Sequence, residues 1–199
     1  MTPAILWMRH GTCEDGLCRP EAHPRPDSPL TIAGGLEAEL TAGYLRERGW
    51  QPALIVSSPL RRARQTAQIA ARLLGAHVAP PVAAVAEWRA PYCVLGRTPA
   101  QYPPEYIAWR AQRARQPSTA LPGGESLDAF AERAIEATTL AHDLATEHGT
   151  VLIVSHRLLI GAVLAVHHGD RQPATIFNHA NDIRIAPAHL WTPPYGEHQ

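Results

Sequence analysis

The chain has 199 residues, with 18 acidic side chains against 18 basic ones and no net charge. That balance excludes a partner held by bulk positive charge, such as nucleic acid, and an apolar content of 45 % excludes a disordered chain. All 18 basic residues are arginine, so any fixed cation here is a planar guanidinium suited to bidentate oxyanion binding.

The length fits one domain spanning 1–199. No apolar run approaches the ~20 residues that a membrane-spanning helix requires. The first eight residues lack the basic start of a signal peptide. A cytoplasmic protein with no membrane partner is therefore expected. Cys13, Cys18 and Cys93 form no C-x-x-C pair and are odd in number, which speaks against a disulfide framework or a zinc site. No metal or other cofactor is expected, and a homodimer is compatible with the composition.

In chain order, the first element is a short unbroken apolar run, Ile5 to Met8. Runs of this kind read as strands buried on both faces. After Leu30-Thr31, apolar positions at Leu36, Leu40, Tyr44 and Leu45 predict a helix ending at Gly49. A second buried strand is predicted at Leu54 to Val56, followed by a helix from Leu60 to Leu74 stopped by Gly75. Residues 90–120 are proline-rich, with one predicted helix over 104–115, and are expected to form an insertion or lid over the sheet edge. A helix over 127–147 enters through Pro122-Gly123-Gly124-Glu125-Ser126. A third buried strand, Val151 to Val154, is followed by a helix from Leu158 to Val166. A last strand is predicted within Asp182 to Leu190, and 192–199 is expected to be a loose tail. The alternation implies an α/β fold: a three-layer sandwich with a mostly parallel central sheet and helices on both faces.

In such sheets ligands bind beyond the carboxyl ends of the strands. The three buried runs lead there into Arg9-His10-Gly11, Ser57-Ser58-Pro59-Leu60-Arg61-Arg62, and Ser155-His156-Arg157. Cations crowded at one edge repel one another unless an anion joins them. A phosphoryl group fits this set: arginines match its oxygens, and a neutral imidazole can attack its phosphorus.

These segments resemble the histidine phosphatase superfamily, which contains the cofactor-dependent phosphoglycerate mutases and many small phosphomonoesterases. The likeness rests on Arg9-His10-Gly11, on Asp27-Ser28-Pro29-Leu30-Thr31-Ile32-Ala33-Gly34, on Ser57 to Ala67, on Gly124-Glu125-Ser126 and on Val154-Ser155-His156. It implies a metal-independent phosphomonoesterase that hydrolyses a small phosphorylated metabolite through phosphohistidine. His10 would be the nucleophile, with Arg9 and Arg62 gripping the phosphate and His156 donating to it. Glu87 stands where the family places the acid that protonates the leaving oxygen. Beside Trp88, an apolar neighbour, it is expected to be held in its protonated form. The family's first motif often continues with a Thr and an Asn that bind phosphate. Cys13 and Gly16 occupy those places here, and Thr12 is expected to replace one lost donor. Arg157 stands where the family commonly has Gly and is expected to contact substrate. Cys13, near the cations, is expected to be oxidation-prone. The alternatives are a phosphoglycerate-type mutase and a catalytically inactive phosphate-binding relative.

Overall fold

A computed structural model describes residues 4–192. The tail expected at 192–199 falls outside them apart from Thr192. Strands β1 (Ile5–Arg9), β2 (Leu54–Ser57), β3 (His77–Val78), β4 (Val151–Ser155) and β5 (Leu190–Trp191) form one sheet in the order β3-β2-β4-β1-β5. All pairings are parallel except β5 on β1. The helices are α1 (Glu14–Cys18), α2 (Ile32–Glu47), α3 (Arg61–Leu74), α4 (Pro104–Gln112), α5 (Leu127–His148), α6 (Arg157–His167) and α7 (Pro173–Asp182). None is long and apolar enough to cross a membrane.

The unbroken apolar runs are explained by two cores. Along β1, Ile5 and Trp7 face a cluster built with α5, α6 and α7, while Leu6 and Met8 face one built with α2 and α3. Val151 and Ile153 of β4 join the first cluster, and Leu152 and Val154 join the second. Successive strand side chains point to opposite faces, so a sheet covered on both sides needs apolar residues at every position.

Helix α2 departs from the sequence reading. Its buried residues are Gly34, Ala38, Ala42 and Leu45, whereas Leu36, Leu40 and Tyr44 are exposed. Close contact explains this choice of face. A Cβ on Gly34 would lie 2.1 Å from the Thr12 carbonyl oxygen, and one on Gly11 would lie 2.2 Å from the Gly34 carbonyl. The start of α2 and the loop after β1 therefore touch backbone to backbone, which large side chains would prevent.

One other expectation is corrected. Residues 173–182 form α7, and the last strand is only Leu190–Trp191. The stretch between them forms no ladder because its carbonyls serve arginines: Ile185 accepts from Arg9 Nη1, and Ile183 accepts from Arg157 Nη1 at 3.2 Å. The proline-rich insertion packs through aromatic rings. Trp88 stacks on Trp109 at 6.3 Å and meets Phe177 of α7 edge-on at 5.3 Å, and Tyr106 is buried with them. These rings are engaged in packing.

Candidate active site

Strands β1 and β4 are in register, with Arg9 opposite Ser155, so His10 and His156 leave the sheet at the same level. Their ring centroids are 4.9 Å apart. Arg62 arrives from the first turn of α3, the helix after the neighbouring strand β2, and is 2 % exposed. The starts of α3 and α6 thus reach this edge, and their unpaired N–H groups add partial positive charge.

Two contacts define the state of His10. Its Nδ1 lies 2.7 Å from the Gly11 carbonyl oxygen, which can only accept, so Nδ1 carries the proton. Arg62 Nε, which can only donate, lies 3.2 Å from Nε2. The ring is therefore neutral with its lone pair on Nε2. Burial, reinforced by the positive charge of Arg62, holds its pKa well below the ordinary histidine value. Gly11 N donates to Thr66 Oγ1 at 3.2 Å, which ties the loop to α3.

His156 is fully buried, and burial, then Arg62, depresses its pKa well below the ordinary value too. Its Nε2 lies 2.8 Å from Ser58 Oγ. Leu60 N donates to the same hydroxyl at 3.2 Å, which ties His156 to the turn before α3. The His156 Nδ1 is buried and has no partner, and neither has the buried Nε of Arg9. Two buried nitrogens without a partner, beside a neutral imidazole, the buried Arg62 and the half-buried Arg9, form a cationic pocket suited to an anion. Ser58 had no role from sequence, because its contact depends on β2 lying beside β4.

Glu87 is half-buried and faces positive charge from Arg9, Arg62 and Arg157. Its oxygens accept from Trp88 N at 3.0 Å and, more loosely, from Leu158 N at 3.4 Å. The Trp88 indole turns into the aromatic cluster and donates to the Glu125 carbonyl at 3.1 Å. The neighbours of the carboxylate are thus guanidinium groups, in place of the expected apolar wall.

Glu125 and Arg133 hold the segment that carries Glu87. Arg133 pairs with Glu125 at 2.6 Å and donates to the carbonyls of Ala84, Ala86 and Glu87, while Glu125 accepts from Arg89 N. Sequence reasoning placed Glu125 as a helix-start charge and missed Arg133, since a clamp between α5 and a loop some fifty residues earlier leaves no local pattern.

Thr12 and Arg157 differ from expectation. Both Thr12 donors go to Glu37 of α2: its N–H to Oε2 and its hydroxyl to Oε1, each at 2.8 Å. Thr12 therefore anchors the loop instead of replacing the lost phosphate donor. Arg157 Nη1 caps the end of α7 through the carbonyls of Ala180, Asn181 and Ile183. Its charge still faces Glu87, but its Nη1 is taken up by packing. Cys13 is buried at 3 %, which removes the access that thiol oxidation needs. His23 stacks on Tyr102 at 5.8 Å, and burial pulls its pKa to about 4.

Among the described residues no group of three or more His, Cys, Asp or Glu side chains converges to hold a metal ion. A groove of about 510 Å³ lies away from this site along α3 and β3, lined by Gln65, Gln68, Ile69, Ala71, Arg72 and Val78. It offers no nucleophile.

The chain is 35 % identical over 66 residues to the uncharacterized phosphatase PhoE of Bacillus subtilis, a match covering 33 % of this chain and 33 % of that protein. Its structure resembles a mycobacterial glucosyl-3-phosphoglycerate phosphatase solved with inorganic phosphate: TM-score 0.71, 25 % identity, 94 % of this chain and 87 % of that one. The fold also matches the alpha-ribazole phosphatase of Shigella flexneri at TM-score 0.73 and 20 % identity, over 94 % of this chain and 87 % of that one. A sequence profile for the histidine phosphatase superfamily (branch 1) matches residues 5–185, which takes in His10, His156, Arg9, Arg62 and the loop carrying Glu87. The chain belongs to that superfamily.

Proposed function

We propose that this protein is a metal-independent phosphomonoesterase that hydrolyses a small phosphorylated metabolite through phosphohistidine at His10. The observation that carries the reading is the pair of buried, unpartnered nitrogens, Arg9 Nε and His156 Nδ1, beside a neutral imidazole whose lone pair is on Nε2. A phosphate monoester carries close to two negative charges near neutral pH, which matches the two guanidinium groups of Arg9 and Arg62. Its entry draws the weakly held Arg62 Nε from His10 onto a phosphate oxygen and frees the nucleophile. Glu87 takes a proton from solvent before the chemical step; Nε2 then attacks phosphorus, the bond to the leaving oxygen breaks, and Glu87 passes that proton to the oxygen. Arg9, Arg62 and His156 stabilise charge on the equatorial oxygens. Water then attacks the phosphohistidine, Glu87 takes its proton, and inorganic phosphate leaves.

Mixing the protein with a radiolabelled phosphate monoester and quenching in alkali is expected to trap label on His10 that is lost in acid, followed by release of free phosphate. Turnover without such label excludes the covalent route. An isomerised phosphoester in place of free phosphate would assign a mutase instead.

Arg133 acts as a positioning residue in this scheme. Arg133→Met is expected to lower kcat roughly 10- to 100-fold for an alkyl phosphate, whose leaving oxygen needs a proton. The same variant should change kcat little for p-nitrophenyl phosphate, whose leaving group does not. Comparing two substrates on one preparation cancels any loss of folded protein, and equal losses on both would contradict the positioning role.

A further inference from the structure

Helix α2 carries its large apolar side chains on the side away from the core. Ile32, Leu36, Leu40 and Tyr44 are 88, 55, 75 and 49 % exposed. Spaced four apart, they form one ridge about 18 Å long on the helix surface. Single exposed apolar residues are ordinary, but this ridge holds four of the eight large ones exposed among the described residues. It puts on the order of 500 Å² of apolar surface into water, near the top of the range for a monomer's largest patch. Gly43 lies on the same side, and a Cβ there would meet nothing within 4 Å. A glycine inside a helix weakens it relative to alanine, and no contact within the chain requires this one.

We infer that the outer face of α2 is the contact between two copies of this chain, packed antiparallel across a twofold axis near residue 38. In that register Leu36 lies against the partner's Leu40, and Ile32 against the partner's Tyr44. Gly43 meets the partner's Ala33, so the two backbones approach closely on either side of the axis. Charge selects this direction. From residue 27 to 45 the chain carries Asp27, Glu39 and a Glu37 already bonded to Thr12, and no arginine, whereas Arg46 and Arg48 outnumber Glu47 at the end of the helix. Antiparallel packing sets the arginine end of each helix over the acidic approach of the other and opposes the two helix dipoles. A parallel pair would stack like charges. Arg48 already covers the Tyr44 ring at 5.2 Å, at the end of the ridge that meets the partner's Ile32. Asp27, Glu39, Arg46 and Arg48 have no ion-pair partner among the described residues.

The size fits a small isologous interface, in which one patch serves both copies. A standard interface buries about 800 Å² per partner. The ridge supplies more than half of that, and Ala33, Gly43, Asp27 and Arg48 flank it. The face contains none of the residues assigned to phosphate chemistry, so this inference stands apart from the proposed reaction.

Sedimentation equilibrium of the full chain tests it. At concentrations up to about 100 µM, far above the micromolar Kd suited to a small interface, the mass is expected to reach 43.4 kDa, twice the 21.7 kDa of one chain. The double variant Leu36→Glu/Leu40→Glu should remain at 21.7 kDa, with helical circular dichroism and phosphate release unchanged. Arg48→Asp is expected to weaken the dimer about tenfold, and adding Asp27→Arg to the same chain should restore it. A wild-type chain that stays monomeric throughout overturns the proposal, as does a dimer that survives both glutamates. A double charge swap no tighter than Arg48→Asp alone overturns the antiparallel register.

Discussion

His10→Ala is expected to lower kcat by at least about 10⁴-fold while the protein remains folded, because it removes the proposed nucleophile. The side chain is nearly buried but makes only two polar contacts, to Gly11 and Arg62, so its loss leaves the sheet and both cores intact. His156→Ala is expected to cost less, roughly 10²- to 10³-fold, because it removes one donor from the developing charge and leaves the nucleophile in place. Steady-state release of p-nitrophenol at saturating substrate measures both. A His10→Ala enzyme within tenfold of wild type would falsify the assignment. The pH dependence has a definite sign. The attacking form is the neutral ring, and burial with Arg62 holds its pKa well below 6.5. Titration of His10 should therefore cause no loss of kcat as the pH falls from 8 to 6.5.

The second large effect is on stability. Three buried or half-buried histidines, His10, His23 and His156, have depressed pKa values in the fold, about 4 for His23 and well below the ordinary value for the other two. Burial is the leading cause for each. In the unfolded chain each takes up a proton near pH 6.5. Below that pH the unfolded state binds more protons than the folded one, so stability rises with pH across the window and is lost on acidification. Full stability from this source is present above pH 6.5. It declines between 6.5 and 4 by up to about 1.4 kcal/mol per pH unit for each group. Against a total of roughly 5–15 kcal/mol, the three together should unfold the protein in mild acid. Urea unfolding at pH 8, 6.5, 5.5 and 4.5 is the measurement, and a midpoint flat from pH 8 to 5 would contradict the account. His23→Phe keeps an aromatic ring against Tyr102 and removes one titrating group, so its midpoint should fall less steeply with acid.

The amino-acid sequence by itself determined the three central strands of the sheet and the residues that follow them. The runs in β1, β2 and β4 are apolar at every position because both faces of the sheet are covered, and such a run is legible without coordinates. The residues that follow each run, His10, Arg62 and His156, could be named because a parallel sheet delivers all its strand ends to one side. Only the tertiary structure decided which donors are free. Thr12 read as a phosphate ligand until Glu37, from a helix on the other side of the loop, took both its donors. Ser58 and Arg133 had no signature because their partners lie 98 and 46 to 49 positions away in the chain. The inner face of α2 was misread for a related reason. Hydrophobic periodicity reports where large apolar residues recur, but the buried face here was chosen by how closely two backbones must meet at Gly11 and Gly34. Local pattern records the burial of each element. Contacts between distant elements record which face is buried, which charge is paired and which donor remains for a ligand.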